Sequence, residues 1–208
     1  RVLADHVSTL LFCPTRTAVA NLSRESITAG VHHVGDVMFD AIQMFCAQAE
    51  RTSRIIDKLG LKEKAYSVAT LHRAENTDSA ARLGALLDYL RRSLGQPVVL
   101  PLHPRTRGKI AEFGLSTDGR TVIEPIGYLD MIRLVGGAAY ILTDSGGLQK
   151  EAYFLGVPCV TLRAETEWTE TVTHGWNRLW NTSDYAPRRP IADYGDGHAS
   201  VKVADILE

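Results

Sequence analysis

Tyr140-Ile141-Leu142-Thr143-Asp144-Ser145-Gly146-Gly147-Leu148-Gln149 is the stretch that decides the fold. Its first four residues form a short β-type run, and the glycine pair leads into a segment that reads as a helix over Leu148–Leu155. Gly156, with Pro158 behind it, stops that helix, and Cys159–Leu162 follows as a second short strand. Strand, helix and strand in so short a span is the sequence form of a βα repeat around a mostly parallel sheet.

Working outward, the same alternation predicts strands at Tyr66–Leu71, Val98–Leu102 and Thr121–Pro125, and helices at Thr106–Phe113 and Tyr128–Gly136. Between the first two strands Leu83, Leu86, Leu87, Leu90 and Leu94 recur at helical spacing behind a cap at Asp78 or Ser79, and Gly95 and Pro97 end the run. The expected class is therefore α/β: a Rossmann-like, doubly wound parallel sheet with helices on both faces. Before it, Val7–Phe12 and Val31–Val34 read as strands around a helix at Arg16–Ser26, too few to complete a sheet of their own. Asp36–Lys58 reads as one long amphipathic linker helix, and a last helix starts near Ala199. The predicted organisation is a remnant of one domain over 1–40, a linker over 41–60, a Rossmann-like domain over 61–185, and a terminal loop and helix over 186–208.

Composition narrows the function classes. With 45% hydrophobic and 23% charged residues, the 208-residue chain falls in the globular range. A net charge of -1, without a basic block, argues against a nucleic-acid partner. The apolar runs are far shorter than a bilayer span and no signal-peptide pattern opens the chain, so no membrane association is expected and the reading is soluble and cytoplasmic. Cys13, Cys46 and Cys159 make no CxxC pair, and the histidines show no HxxxH or His-x-His spacing, so neither a disulfide framework nor a metal site is expected.

In open parallel sheets, ligands bind beyond the carboxyl ends of the strands. The segments there are unusually polar: His72-Arg73-Ala74-Glu75-Asn76, His103-Pro104-Arg105, Asp144-Ser145-Gly146-Gly147 and Arg163-Ala164-Glu165-Thr166-Glu167. Bare amides at a glycine-opened helix start can hold a phosphate, with Ser145 as an added donor; the same pattern also suits a plain capped helix. His72 is a candidate proton donor or phosphate contact, in one crevice with Arg73 and Glu75. His103 and Arg105 fit either a ligand edge or a strand terminator. Glu151, one and a half turns into the helix, could reach a hydroxyl pair or simply face solvent.

Taken in order, the strings Val68–Asn76, Leu102–Thr106, Pro125–Leu129, Leu142–Gln149, Glu151-Ala152, Gly156–Pro158, Thr161–Arg163 and Thr166-Glu167 resemble the non-hydrolysing UDP-N-acetylglucosamine 2-epimerases. That resemblance extends upstream to Ala4–Ser8 and Val34–Asp36 and downstream to Tyr194–Gly197. It implies the C-terminal half of a glycosyltransferase-B-like two-domain fold, with residues 61–185 as its nucleotide-binding domain. It implies an isomerase that eliminates UDP across C1 and C2 of UDP-GlcNAc and adds it back after reprotonation of the opposite face, giving UDP-ManNAc for cell-envelope polysaccharides. No cofactor is implied. Carried over residue by residue, His72, Arg73 and Glu75 are the catalytic candidates. Ser145, Gly146, Gly147, Glu151, Asp144, Gln149, His103, Arg105 and Trp168 are the UDP-sugar-binding ones, with Ser145 and the glycine amides on the diphosphate and Glu151 on the ribose.

Several departures bear on the substrate. Trp168 stands where many members have an arginine, which resembles relatives acting on other UDP-2-acetamido sugars. Lys150 replaces an acidic residue, and Ile126 and Met131 stand where some members carry Gln and Phe. Members also carry an N-terminal segment of roughly 150 residues more, a domain's worth, which holds the carboxylates assigned to proton transfer at C2. The expectation is that this chain alone binds UDP with little or no turnover. A glycosyltransferase of the same fold and a non-catalytic UDP-binding fragment are the alternatives. A homodimer is compatible with the sequence.

Overall fold

The computed structural model describes residues 2–92 and 95–208. Leu94, expected on the apolar face of a helix, lies outside the described residues. The chain divides into two compact units, Arg1–Met44 with Pro190–Glu208, and Phe45–Arg189.

The first unit begins with α1 (Val2–Val7), β1 (Leu11–Cys13), α2 (Arg16–Arg24) and β2 (Val31–His33), and α3 (Val37–Thr52) leads out of it. β1 and β2 pair in parallel, Leu11 opposite Val31. The expected strand at Val7–Phe12 is a correction: Val7 closes α1, because Ser8 Oγ donates to the Ala4 carbonyl at 2.7 Å and so satisfies an end of that helix. α2 starts where predicted, with Thr15 Oγ1 accepting from the Ala18 amide. The terminal segment joins this unit through Asp40, whose carboxylate accepts from the Ala199 and Ser200 amides at the start of the last helix, Ala199–Leu207.

The expected single linker helix is broken. α3 ends at Thr52 and a short α4 (Ile55–Lys58) follows, because Ser53 turns its hydroxyl to Asp130 at 2.5 Å and accepts from the Ile55 amide.

The second unit continues with β3 (Ser67–Thr70), α5 (Ala74–Thr77), α6 (Ala80–Arg92), β4 (Val98–Pro101), α7 (Pro104–Glu112), β5 (Arg120–Ile123), α8 (Tyr128–Gly137), β6 (Tyr140–Thr143), α9 (Gly146–Phe154), β7 (Cys159–Thr161), α10 (Thr169–Thr173) and β8 (Asn177–Leu179). All six strands run parallel in the order β5-β4-β3-β6-β7-β8. Relative to the chain this is the 3-2-1-4-5-6 arrangement of a dinucleotide-type Rossmann sheet, with its direction switch between β3 and β6. β8 and the short helices α5 and α10 were not foreseen from the sequence.

Strand periodicity sorts the core into two layers. Val68, Val99, Ile141 and Cys159 pack on one face with Ile56, Leu134, Val135 and Ala152. Their neighbours Ala69, Leu100, Leu142 and Val160 pack on the other with Leu83, Leu86, Leu87 and Leu90 of α6. Each leucine removed from water there contributes about 1.5–3 kcal/mol. Ser79, rather than Asp78, supplies the α6 cap, accepting from the Arg82 amide. Buried Tyr66 donates to the Leu134 carbonyl at 2.7 Å, and a Cβ on Gly137 would stand 2.6 Å from that hydroxyl, so the end of α8 closes on the sheet only with glycine there. No helix among the described residues is long and apolar enough to cross a membrane.

Candidate active site

The switch between β3 and β6 opens a crevice at the carboxyl ends of the two central strands, and their exits are His72–Asn76 and Asp144–Gly147. Thr70 and Thr143, paired in register, join their hydroxyls at 2.6 Å, and Thr143 Oγ1 also accepts from the Ser145 amide at 2.9 Å. The polypeptide therefore leaves both strands from a fixed point.

Asp144 is fully buried. Its carboxylate accepts from the His72 amide at 3.0 Å, the Arg73 amide at 2.9 Å and the Asn76 side chain at 3.0 Å, and stands 3.0 Å from His72 Nδ1. Burial alone would raise its pKa; the hydrogen bonds from His72, Asn76 and Arg73 outweigh that and hold it below the usual carboxylate range. His72 responds in the opposite sense. Its hydrogen bond to Asp144 raises its pKa above the ordinary 6.5, against the opposing effects of burial and of Arg73. The imidazole is half exposed, so one ring face meets the crevice while Nδ1 stays on Asp144.

Beside it, α9 opens on Ser145, whose Oγ accepts from the Leu148 amide at 3.4 Å. That cap leaves the hydroxyl proton to donate outward, and helix geometry leaves the Gly146 and Gly147 amides without intrahelical acceptors. A Cβ on Gly146 would lie 2.5 Å from Glu167 Oε1 and 3.2 Å from Trp168 Nε1, so glycine keeps this approach open. Gln149 is not at the mouth. It is fully buried, its Oε1 accepting from Thr166 Oγ1 at 2.6 Å and from Asn177 Nδ2, so it anchors the segment after β7. Glu151, further along α9, has its pKa raised by burial against the opposing charge of Lys150.

A hollow of about 320 Å³ beyond β3, β4 and β5 is lined by Thr70, His72, His103, Arg105, Ile126 and Met131 among others. His103 caps α7, with Nδ1 accepting from the Arg105 amide, and Arg105 Nη2 donates to both carboxylate oxygens of Asp78 at 2.7 and 3.0 Å. The remaining charged candidates form a chain across the exits of β3 and β7: Glu75 pairs with Arg163 at 2.9 Å, Arg163 with Glu167 at 2.7 Å, and Glu167 with Arg73 at 3.9 Å. Trp168 follows, with the Lys150 ammonium 4.2 Å from its ring centre.

The structure thus brings His72, Arg73, Ser145 and the two glycines to one crevice with His103 and Arg105 at its β4 edge, and it turns Asp144 and Gln149 inward. Two residues that lie in the matched strings but were given no site role also belong here: Asn76, fully buried against Asp144, and Arg163, which ties Glu75 to Glu167. The signal for Asn76 is a neutral amide six residues beyond a buried strand, in the polar string that crosses the crevice, where a buried polar side chain needs a specific partner. Among the described residues no three His, Cys, Asp or Glu side chains group as a metal site.

A parallel sheet in this order, with a glycine-opened helix and a histidine–carboxylate pair at its switch point, defines a Rossmann-like α/β unit with its candidate site at the crevice between β3 and β6. The chain belongs to the UDP-N-acetylglucosamine 2-epimerase family, whose pattern it matches over residues 1–208. It is 44% identical to a UDP-N-acetylglucosamine 2-epimerase homolog of Methanococcus maripaludis and 45% identical to the UDP-2,3-diacetamido-2,3-dideoxy-D-glucuronate 2-epimerase of Pseudomonas aeruginosa. All of the chain aligns in both cases, against 62% of each relative's length. The crystal structure of Methanocaldococcus jannaschii UDP-GlcNAc 2-epimerase in complex with UDP-GlcNAc and UDP superposes with a TM-score of 0.88 at 35% identity, over the whole chain and 63% of that protein. The fold is that of these glycosyltransferase-B-like epimerases.

Proposed function

We propose that this chain supplies the UDP-binding half of a UDP-2-acetamido-sugar 2-epimerase, with conversion of UDP-GlcNAc to UDP-ManNAc as the first reading. The observation that carries it is the pairing of His72 with Asp144 beside the Ser145-capped start of α9. When the C1–O bond breaks, the departing diphosphate gains charge. Donors already in place, namely the Gly146 and Gly147 amides, the Ser145 hydroxyl and a cationic His72, stabilise that charge without reorganising. As that bond breaks, C2 loses its proton to the carboxylates that the resemblance puts in the N-terminal segment, leaving a C1=C2 double bond; the donors here hold UDP while a proton returns to the opposite face of C2, and re-addition of UDP at C1 completes the epimerisation. Arg73 sits beside the same phosphates; Glu75, paired with Arg163, stiffens the loop that carries both. Glu151 is the candidate for the ribose hydroxyls, and the hollow lined by His103, Ile126 and Met131 is the candidate for the base. Three free cysteines suit a reducing, cytoplasmic setting.

Calorimetric titration of the chain with UDP and with UDP-GlcNAc tests this reading. Saturable binding of both, weakened roughly tenfold or more in Ser145→Ala, supports it; absence of UDP binding overturns the assignment of the nucleotide to this unit.

Trp168 favours a second reading within the same chemistry, an epimerase of a different UDP-2-acetamido sugar. By the resemblance, Trp168 stands where many family members have an arginine and Lys150 where they have an acidic residue; the two side chains meet here, and the Pseudomonas relative is a diacetamido-uronate epimerase. Tighter binding of that sugar nucleotide than of UDP-GlcNAc would select it.

A further inference from the structure

Asp144 occupies the position that a motif reading gives to a ligand contact, yet it has no surface to offer one. Its exposure is zero, and four donors converge on its two oxygens. Behind it stands a second buried side chain. Asn76 is also fully buried; its Nδ2 donates to Asp144 at 3.0 Å and to the Leu162 carbonyl at 3.0 Å, and its Oδ1 accepts from Arg82 Nε at 3.1 Å. A guanidinium only donates and a carboxylate only accepts, so the amide is held in one orientation. Arg82 in turn lies over the Trp180 ring, 4.5 Å from its centre. A continuous line of contacts thus runs from the exit of β8, through the exit of β7, to the histidine after β3.

We propose that Asp144, clamped by Asn76 and Arg82, is the positioning residue of His72, pinning Nδ1–H so that the imidazole binds ligand and exchanges its proton only at Nε2. The proposal rests on His72 being the histidine that meets the nucleotide, and it deepens that reading by assigning the ring atom and the residue that fixes it. The chemistry is that of a carboxylate that orients an imidazole and stabilises its cation without itself meeting the substrate. With Nδ1 committed, the neutral ring presents a lone pair at Nε2, and the cation presents an N–H there. One atom then serves both as base and as donor to a phosphate oxygen. A histidine free to rotate would divide itself between two tautomers and offer the wrong nitrogen for part of the time.

Nitrogen-15 NMR of the histidine rings in the 208-residue chain tests this without any ligand. Above its titration midpoint, His72 is expected to show a protonated Nδ1 and an unprotonated Nε2. A neutral ring protonated at Nε2 would overturn the proposal. In Asp144→Asn the midpoint is expected to fall and the tautomers to mix; a folded variant with an unchanged His72 titration would also overturn it. Should that variant not fold, UDP added to the unsubstituted chain supplies the second reading: a shift at His72 Nε2, with Nδ1 and the Asp144 carboxyl carbon unmoved, is expected. Movement of the Asp144 carboxyl carbon with Nε2 unaffected would refute it. Failure of UDP to bind at all would count against the proposed function while leaving the ligand-free tautomer result to stand.

Discussion

Thr70 Oγ1 and Thr143 Oγ1 lie 2.6 Å apart, at register-paired positions on β3 and β6, and they lock together the two strand ends from which the candidate site departs. Thr143 is fully buried and carries the larger share, because its oxygen also accepts from the Ser145 amide. Thr143→Val keeps the shape but leaves that amide and Thr70 without their partner. The expected cost is about 1–3 kcal/mol, the range for orphaning a buried polar group. Thr70→Val, which removes one bond of the pair and spares the other, should cost less. Urea unfolding of both variants checks the order; a Thr143→Val midpoint at or above that of Thr70→Val would contradict it.

Much of this arrangement was legible in the sequence because the strands are buried on both faces and the helices between them carry leucines at regular spacing. β6 and α9 could be read from Tyr140–Pro158, although the helix begins at Gly146, two residues before the predicted Leu148, because the Ser145 cap takes the glycine pair into its first turn. β8 could not: Asn177 is a buried polar residue bonded to Thr161, Gln149 and Thr171, so the strand shows no apolar signature. The break after Thr52 depends on Ser53 meeting Asp130, 77 positions away, which no local pattern displays. The candidate site divides in the same way. Residue types at strand ends announced the crevice, but whether Asp144 points into it or under it depends on donors 68 to 72 positions upstream.

Ser145 has two roles that can be separated. Ser145→Ala removes the helix cap, at a cost of about 1 kcal/mol of stability, and removes one donor to the diphosphate. A hydrogen bond to a charged group contributes about 1.5–3 kcal/mol, so UDP affinity should fall roughly tenfold or more. Ser145→Asn restores an acceptor for the cap without the hydroxyl's geometry. It should recover the melting temperature and leave UDP binding weak. Recovery of both together would remove the phosphate role.

Gly146→Ala tests the close approach at the start of α9. The new Cβ meets Glu167 Oε1 at 2.5 Å, the end of a flexible side chain, so the carboxylate can swing away and the stability loss should stay within about 1 kcal/mol. The displaced Glu167 would then loosen its pairs with Arg163 and Arg73 and stand nearer the phosphate position. UDP binding is therefore expected to suffer far more than unfolding stability. Calorimetry and denaturant unfolding on the same preparation would compare them, and equal losses would argue that Gly146 matters only for packing.

The His72–Asp144 pair predicts a window of pH in which it stabilises the fold. The histidine's pKa is raised from 6.5 in the folded state, so its contribution is full below about 6.5 and disappears as pH rises through the folded value. The aspartate's pKa is lowered from 3.8, so its contribution is full above that value and disappears as pH falls through the folded one. The pair therefore helps most between those limits. His72→Gln keeps a side chain of similar reach but does not titrate. Its melting temperature should lie furthest below that of the unsubstituted chain near pH 5–6 and approach it as pH rises, with a second closing of the gap in strong acid. Because His72 is half exposed, solvent screens the interaction and the gap is modest. UDP affinity should follow the same upper limit, weakening as His72 loses its proton, and in His72→Gln the affinity should lose that dependence. A gap in melting temperature that stays constant from pH 5 to pH 9, with UDP affinity falling alike in both proteins, would show that His72 carries no charge relevant to the site.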